Sequence, residues 1–200
     1  MMKLIDTLFS LLCGLLVSLI AIEFLDGYGI SLGFYAWLLY LLLPFAIFIF
    51  LWASDHAGRK FLFIFQLAKH IVVGVFATVI DLKVFELLTW CFLTFFAIVN
   101  PLMSKAISFL VSTCFKYLGN KNWTFDKPDK EGILLEMFKF FVVVIIGLGI
   151  DVSSFFYFTK ILGPQLGAPE EVWIKASVIF AALIAAIWNF TGEKFLVFKK

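Results

Sequence analysis

The sequence predicts an all-α, polytopic membrane protein with six transmembrane helices, the last four forming two parallel two-helix repeats in a pseudo-twofold four-helix unit. Three observations predict it. The 200 residues are 63% apolar and 15% charged, a balance foreign to an ordinary soluble domain. Apolar runs approaching twenty residues recur along the chain. Finally, the stretch Lys69–Asp81 (KHIVVGVFATVID) returns as Lys139–Asp151 (KFFVVVIIGLGID). In each copy Ile80 or Ile150 precedes the aspartate, which lies about 18 Å along a helix axis, just past the middle of a ~30 Å hydrocarbon layer. Each hairpin then closes on a basic, aromatic cap, Lys116–Phe125 and Asn189–Phe198. The helix starts are offset by 70 residues and the caps by 73.

Met1–Leu25 carries one base, Lys3, before an apolar core. It lacks a small-x-small cleavage site, so it reads as a retained first span over about 8–25. Asp26–Gly29 is a turn, and Leu32–Trp52 a second span that Pro44 is placed to kink. Ser54–Lys69 is a basic connection between an N-terminal hairpin (1–60) and the repeat domain (61–200, repeats about 66–125 and 136–198), with Phe61–Leu67 as an interfacial lead-in. The third span covers about 70–91. Cys91–Leu102 reads as an apolar connection resting on the membrane surface or against the first two helices, stopped by Asn100-Pro101. Spans four (103–118), five (138–161) and six (173–191) follow, separated by the charged 119–136 segment and by Gly163–Pro169.

Six spans put twelve of the sixteen bases on one side, among them Arg59, Lys60, Lys69, Lys116, Lys121, Lys139 and Lys194. Only Lys105, Lys160 and Lys175 fall on the other, with Lys83 inside span three. This asymmetry places both termini in the cytoplasm and leaves the sequons at Asn122 and Asn189 on the unglycosylated side. Both repeats start on that side and are therefore parallel.

One face of each repeat helix is small or polar. Gly74, Ala77, Thr78 and Asp81 share a stripe, as do Gly147, Asp151 and Ser154. Ser104, Ser108, Ser112, Lys116 and Asn120 follow at four-residue steps, and the last four map onto Ala181, Ala185, Asn189 and Glu193. Close helix packing in lipid explains the small residues but not the charges on the same stripe. Cys13, Cys91 and Cys114 sit in apolar runs without CxxC spacing and read as buried small hydrophobes. His56 and His70 form no metal constellation, and a net charge of +2 argues against nucleic acid.

The basic start, mid-helix Asp, and twice-repeated cap, best kept in Asn120-Lys121-Asn122-Trp123-Thr124-Phe125, resemble the GtrA-like family over about residues 66–200. The second cap departs from the pattern with Glu193 for Asn and Leu196 for Trp, and Lys116 replaces the usual Asn that Asn189 keeps. Met1–Asp55 lies outside the family core. The resemblance implies translocation or handling of a polyprenyl-phosphate-linked sugar in cell-surface polysaccharide modification, without a cofactor. Lys69, Lys116, Lys121, Lys139 and Lys194 are the expected phosphate contacts. Asp81, Asp151, Ser108, Ser112, Asn120 and Asn189 are the expected polar path, since a carboxylate repels phosphate but can hydrogen-bond sugar hydroxyls or carry protons. Two rivals use other chemistry: a non-transporting anchor recruiting a glycosyltransferase through 119–136, and a proton-coupled exporter. The carboxylates argue against the first and the lysine clusters against the second. No nucleophile–base pair, metal-ligand spacing or phosphate-cradling loop points to an enzyme. Four repeat helices make a thin wall around a sugar phosphate, so a homo-oligomer, most simply a dimer, is expected.

Overall fold

Apolar residues without interior breakers favour long helices, and in a computed structural model of the chain helices make up both compact units. The structure describes residues 2–27, 30–96, 101–127, 132–165, 167 and 170–198. Among these there are six α-helices and no strand. Four segments are long and apolar enough to cross a membrane: Leu4–Glu23, Gly33–Gly58, Ile133–Leu162 and Phe180–Val197. Their outward faces carry Leu8, Leu12, Leu15, Leu19, Ile145 and Leu148, all exposed. An exposed apolar surface of this kind needs a hydrocarbon solvent, so the chain is a multi-pass membrane protein.

The first unit, Met1–Asp126, holds α1 (Leu4–Gly27), α2 (Ala36–Gly58), α3 (Leu62–Phe96) and α4 (Pro101–Gly119). A 3₁₀ turn, Gly33–Tyr35, leads into α2, and a π-helical turn, Asn120–Thr124, ends α4. Helix α1 packs on α2 and α3, α2 on α3, and α3 on α4. The contact of α1 with α2 is backbone on backbone: a Cβ built on Gly14 lies 2.2 Å from Pro44 Cα. One turn on, Ser18 Oγ lies 2.7 Å from Gly14 O in its own helix and 2.8 Å from Leu39 O in α2. Cys13, Leu51, Phe65, Ala68 and Val72 form the apolar core between these three helices, with Cys13 Sγ 3.8 Å from Val72 O.

Helix α3 is longer than the span expected from the sequence. The lead-in at 62–67 joins it without a break, and Cys91–Phe96, read as a surface connection, continue it. No Gly or Pro falls between Gly74 and Phe96, so nothing breaks the helix over that stretch. Asn100 lies outside the described residues, as do Tyr28 and Gly29 of the first turn, the Pro128-Asp129-Lys130 part of the charged segment and Lys199-Lys200.

The second unit, Lys127–Lys200, is an antiparallel hairpin of α5 (Ile133–Phe156) and α6 (Glu170–Gly192). Helix α5 widens into a π-helical turn at Tyr157–Leu162 and α6 into another at Glu193–Val197. Gly132 starts α5 in the left-handed region, φ 67°. Each unit closes its last turn in the same way. Phe125 N–H donates to Asn120 O (2.9 Å) and Phe198 N–H to Glu193 O (2.7 Å). A Cβ on Gly119 meets Val73 Cγ1 at 3.0 Å, and one on Gly192 meets Val143 Cγ1 at 2.7 Å.

Candidate functional site

In the first unit the polar residues gather in two places. The outer one surrounds Lys69, whose side chain is only 10% exposed at the start of α3's apolar stretch. A lysine this buried needs a counter-charge. It comes from Asp6 near the start of α1: Lys69 Nζ lies 2.6 Å from Asp6 Oδ1. The same Oδ1 accepts the indole N–H of Trp123 at 2.6 Å, and Oδ2 accepts the backbone N–H of Lys3 at 2.6 Å. Asp6 is fully buried. The ammonium also lies over Phe65 and Trp123, 4.6 and 5.0 Å from the ring centres, so aromatic faces complete its shell.

The cap beyond α4 is also closed. Asn120, Lys121, Thr124 and Phe125 are buried. Thr124 Oγ1 donates to Asn120 Oδ1 (3.1 Å), and Lys121 Nζ donates to the Tyr117 hydroxyl (3.3 Å) while lying 5.7 Å from its ring centre. Lys116 is half-buried.

The inner place is the middle of α3 and α4. Ser108 Oγ donates to Asp81 Oδ1 at 2.7 Å, joining two residues of the expected polar path across a helix pair. Ser104, Ser108 and Ser112 are all buried. Ser112 donates to Phe109 O (3.0 Å), and Ser104 Oγ finds no hydrogen-bond partner among the described residues. Lys83 pairs with Glu86 at 2.9 Å, as its i, i+3 spacing implies, and with Glu23 of α1 as well. Gly74 is not a close-packing position: nothing lies within 4 Å of a Cβ built there.

The second unit treats the corresponding residues differently. Asp151 is half-buried, and no hydrogen bond to it is found among the described residues. The reason is legible in the cap offset, which puts Ala181, without a donor, where α4 has Ser108. Asn189 lies against Gly147, where a Cβ would stand 2.2 Å from its Oδ1; that buried oxygen has no hydrogen-bond partner among the described residues. Lys194 lies over Phe190 and Phe195 at 5.5 and 5.7 Å. Lys139 is exposed, and among the described residues no carboxylate pairs with it. Glu193 is fully buried, and Lys127 Nζ stands 4.0 Å from the buried Glu136.

Sequence reasoning did not single out Asp6 or the indole of Trp123 as a polar partner. The available signal was a lone carboxylate opening an apolar helix; its partner lies 63 residues away, beyond any periodicity. Among the described residues no group of three His, Cys, Asp or Glu is placed to hold a metal ion, and the three cysteines are free thiols.

No solved structure matches the chain. The uncharacterized membrane protein YwcD of Bacillus subtilis (strain 168) is 30% identical over 135 residues, covering 66% of this chain and 94% of its own. The cell wall teichoic acid glycosylation protein GtcA of Listeria monocytogenes is 25% identical over 150 residues, covering 74% of this chain and 90% of its own. Residues 69–198 match the GtrA/DPMS transmembrane domain, a stretch that holds both basic helix starts, both mid-helix aspartates and both caps. The chain is a member of the GtrA/DPMS transmembrane-domain family.

Proposed function

We propose that this protein is a translocase for a polyprenyl-phosphate-linked sugar used in glycosylating a cell-surface polymer. The observation that carries the reading is the Asp81–Ser108 hydrogen bond, a carboxylate held toward a neighbouring helix at mid-membrane depth within a family connected with such glycosylation. A charged group there costs roughly 2.5–3.5 kcal/mol on insertion scales if it faces lipid alone. A recruiting anchor has no use for that cost; a path for sugar hydroxyls or protons does. The chain takes six spans, N-in and C-in in an inner membrane, with both hairpins of the repeat domain entering from the cytoplasm. The matching π-helical turns and the Gly119–Val73 and Gly192–Val143 contacts support the repeat. The lipid phosphate is met at the cytoplasmic end by lysines drawn from Lys69, Lys116, Lys121, Lys139 and Lys194. Asp81 and Asp151 line the deeper path with Ser108, Ser112, Asn120 and Asn189. The working unit is a homo-oligomer, most simply a dimer, and a glycosyltransferase is the natural cytoplasmic partner.

Reconstitution tests this. Vesicles carrying the protein and a short-chain polyprenyl-phosphate sugar are treated with membrane-impermeant periodate, which oxidises only outward sugars. Wild type should expose the inner-leaflet pool to oxidation, and Asp81→Asn should slow that exposure. Vesicles that leave the inner pool protected with wild type present overturn the translocase reading. A monomeric mass in nanodiscs overturns the dimer.

A further inference from the structure

We infer that Asp6 is a resident anion: it fills, at the first hairpin's basic helix start, the place a lipid phosphate takes, so that phosphate binding falls to Lys139 and Lys194 of the second hairpin. The inference deepens the proposed function and rests on its assignment of phosphate to the cytoplasmic lysines. It also gives the N-terminal hairpin, which lies outside the residues matching the family, a role.

The argument is one of donors. A lipid phosphate seeks a cation and several N–H groups converging on its oxygens. At Lys69 such a set exists and is used: an ammonium, an indole N–H and a backbone N–H, all 2.6 Å from the two oxygens of one carboxylate. That carboxylate is fully buried, and the lysine is nearly so. A lipid headgroup therefore has neither access nor a free donor while Asp6 is in place. Trp123 also lines an apolar cavity of about 280 Å³ with Ile5, Phe9, Val73, Phe76 and Leu118. A displaced Asp6 thus leaves a cation and two N–H donors next to space suited to an isoprenoid chain. In the second hairpin the counterpart of Lys69 is Lys139, 70 residues on, and the counterpart of Lys121 is Lys194, 73 on. Lys139 is exposed with no carboxylate paired to it among the described residues, and Lys194 lies over the Phe190 and Phe195 rings. Leu196 stands where the first cap has Trp123, so the second hairpin has no indole N–H at that position. The two hairpins thus share a backbone pattern and differ at the helix start: Lys69 is paired with a buried carboxylate, and Lys139 is exposed with none paired to it among the described residues.

The test uses the full chain in mild detergent, farnesyl phosphate as the probe, and native mass spectrometry to count bound ligand. Wild type should bind one farnesyl phosphate. Lys139→Gln/Lys194→Gln should weaken that affinity at least tenfold. Asp6→Asn and Asp6→Ser should each admit a second farnesyl phosphate, and Asp6→Asn/Lys69→Gln should not. Wild-type affinity in Lys139→Gln/Lys194→Gln overturns the inference, a result that needs no Asp6 variant to fold. So does an unchanged count in both Asp6 variants. Binding by Asp6→Asn alone, with none by wild type, refutes the phosphate assignment of the proposed function and leaves Asp6 as the resident anion. No binding by any variant overturns both.

Discussion

Gly14→Ala probes the contact on which the N-terminal hairpin is built. A Cβ at this position stands 2.2 Å from Pro44 Cα, 2.6 Å from Pro44 N and 3.0 Å from Leu43 C. All three are backbone atoms, and a proline ring prevents α2 from adjusting locally by rotation about φ. Ordinary contact at about 3.5–4.0 Å therefore requires the helices to separate by more than 1 Å, roughly the gap that overpacking a core imposes at about 1–3 kcal/mol. The separation also stretches the Ser18–Leu39 bond from 2.8 Å beyond hydrogen-bond range, a loss of about 0.6 kcal/mol between membrane helices. Against this stands the better helix propensity of Ala, about 1 kcal/mol. The net expectation is a destabilisation of about 0.5–2.5 kcal/mol by Gly14→Ala. Gly74→Ala is the control: it is also a helical glycine, but nothing lies within 4 Å of its Cβ, so only the propensity gain remains and the variant should be unchanged or more stable. Unfolding in mixed SDS–dodecylmaltoside micelles, followed by far-UV circular dichroism, reads both. Equal shifts in the two variants, or stabilisation by Gly14→Ala, refute the close-contact argument.

Other perturbations have equally definite outcomes. Lys69→Met leaves Asp6 buried without its cation and should cost about 3–5 kcal/mol, most of it recovered in Asp6→Asn/Lys69→Met; the same micelle unfolding measures the cycle. Ser108→Ala removes a donor to Asp81 and should lower stability by about 0.6–1.7 kcal/mol, while Ala181→Ser, the counterpart position, should change it by less than about 0.5 kcal/mol. Asp81→Asn and Asp151→Asn should each slow sugar-lipid exposure in the periodate assay; wild-type rates in both singles and in the double variant make the pair structural. Gly147→Ala drives a Cβ into the Asn189 side chain rather than into backbone, so a second change, Asn189→Ala, should restore its stability; failure to restore it shows that the helices themselves clash. Reporter fusions after Trp52 and after Phe125 should both read as cytoplasmic, and a periplasmic signal from either overturns the six-span topology.

The sequence by itself determined the class and the periodic features. A chain so apolar, with carboxylates at one depth and two basic caps, leaves helices in lipid as the available solution, because hydrocarbon cannot satisfy an open backbone. The two caps were legible because a repeat needs only self-comparison, and Asp81 and Ser108 each stood out as polar residues in apolar helices, but that one bonds the other is read from the tertiary structure. Tertiary structure decided what periodicity does not encode. The partner of Lys69 proved to be Asp6, contributed by a helix far away in sequence, and no spacing rule connects residues 6, 69 and 123. Gly14 and Gly74 look alike in sequence, and only the approach of Pro44 separates a close contact from an open helix face. The end of α3 was misjudged for the opposite reason. Apolar residues 91–96 suit both a helix and a membrane-surface segment, and the continuous hydrogen-bond ladder of the helix satisfies their backbone where a loop in lipid cannot.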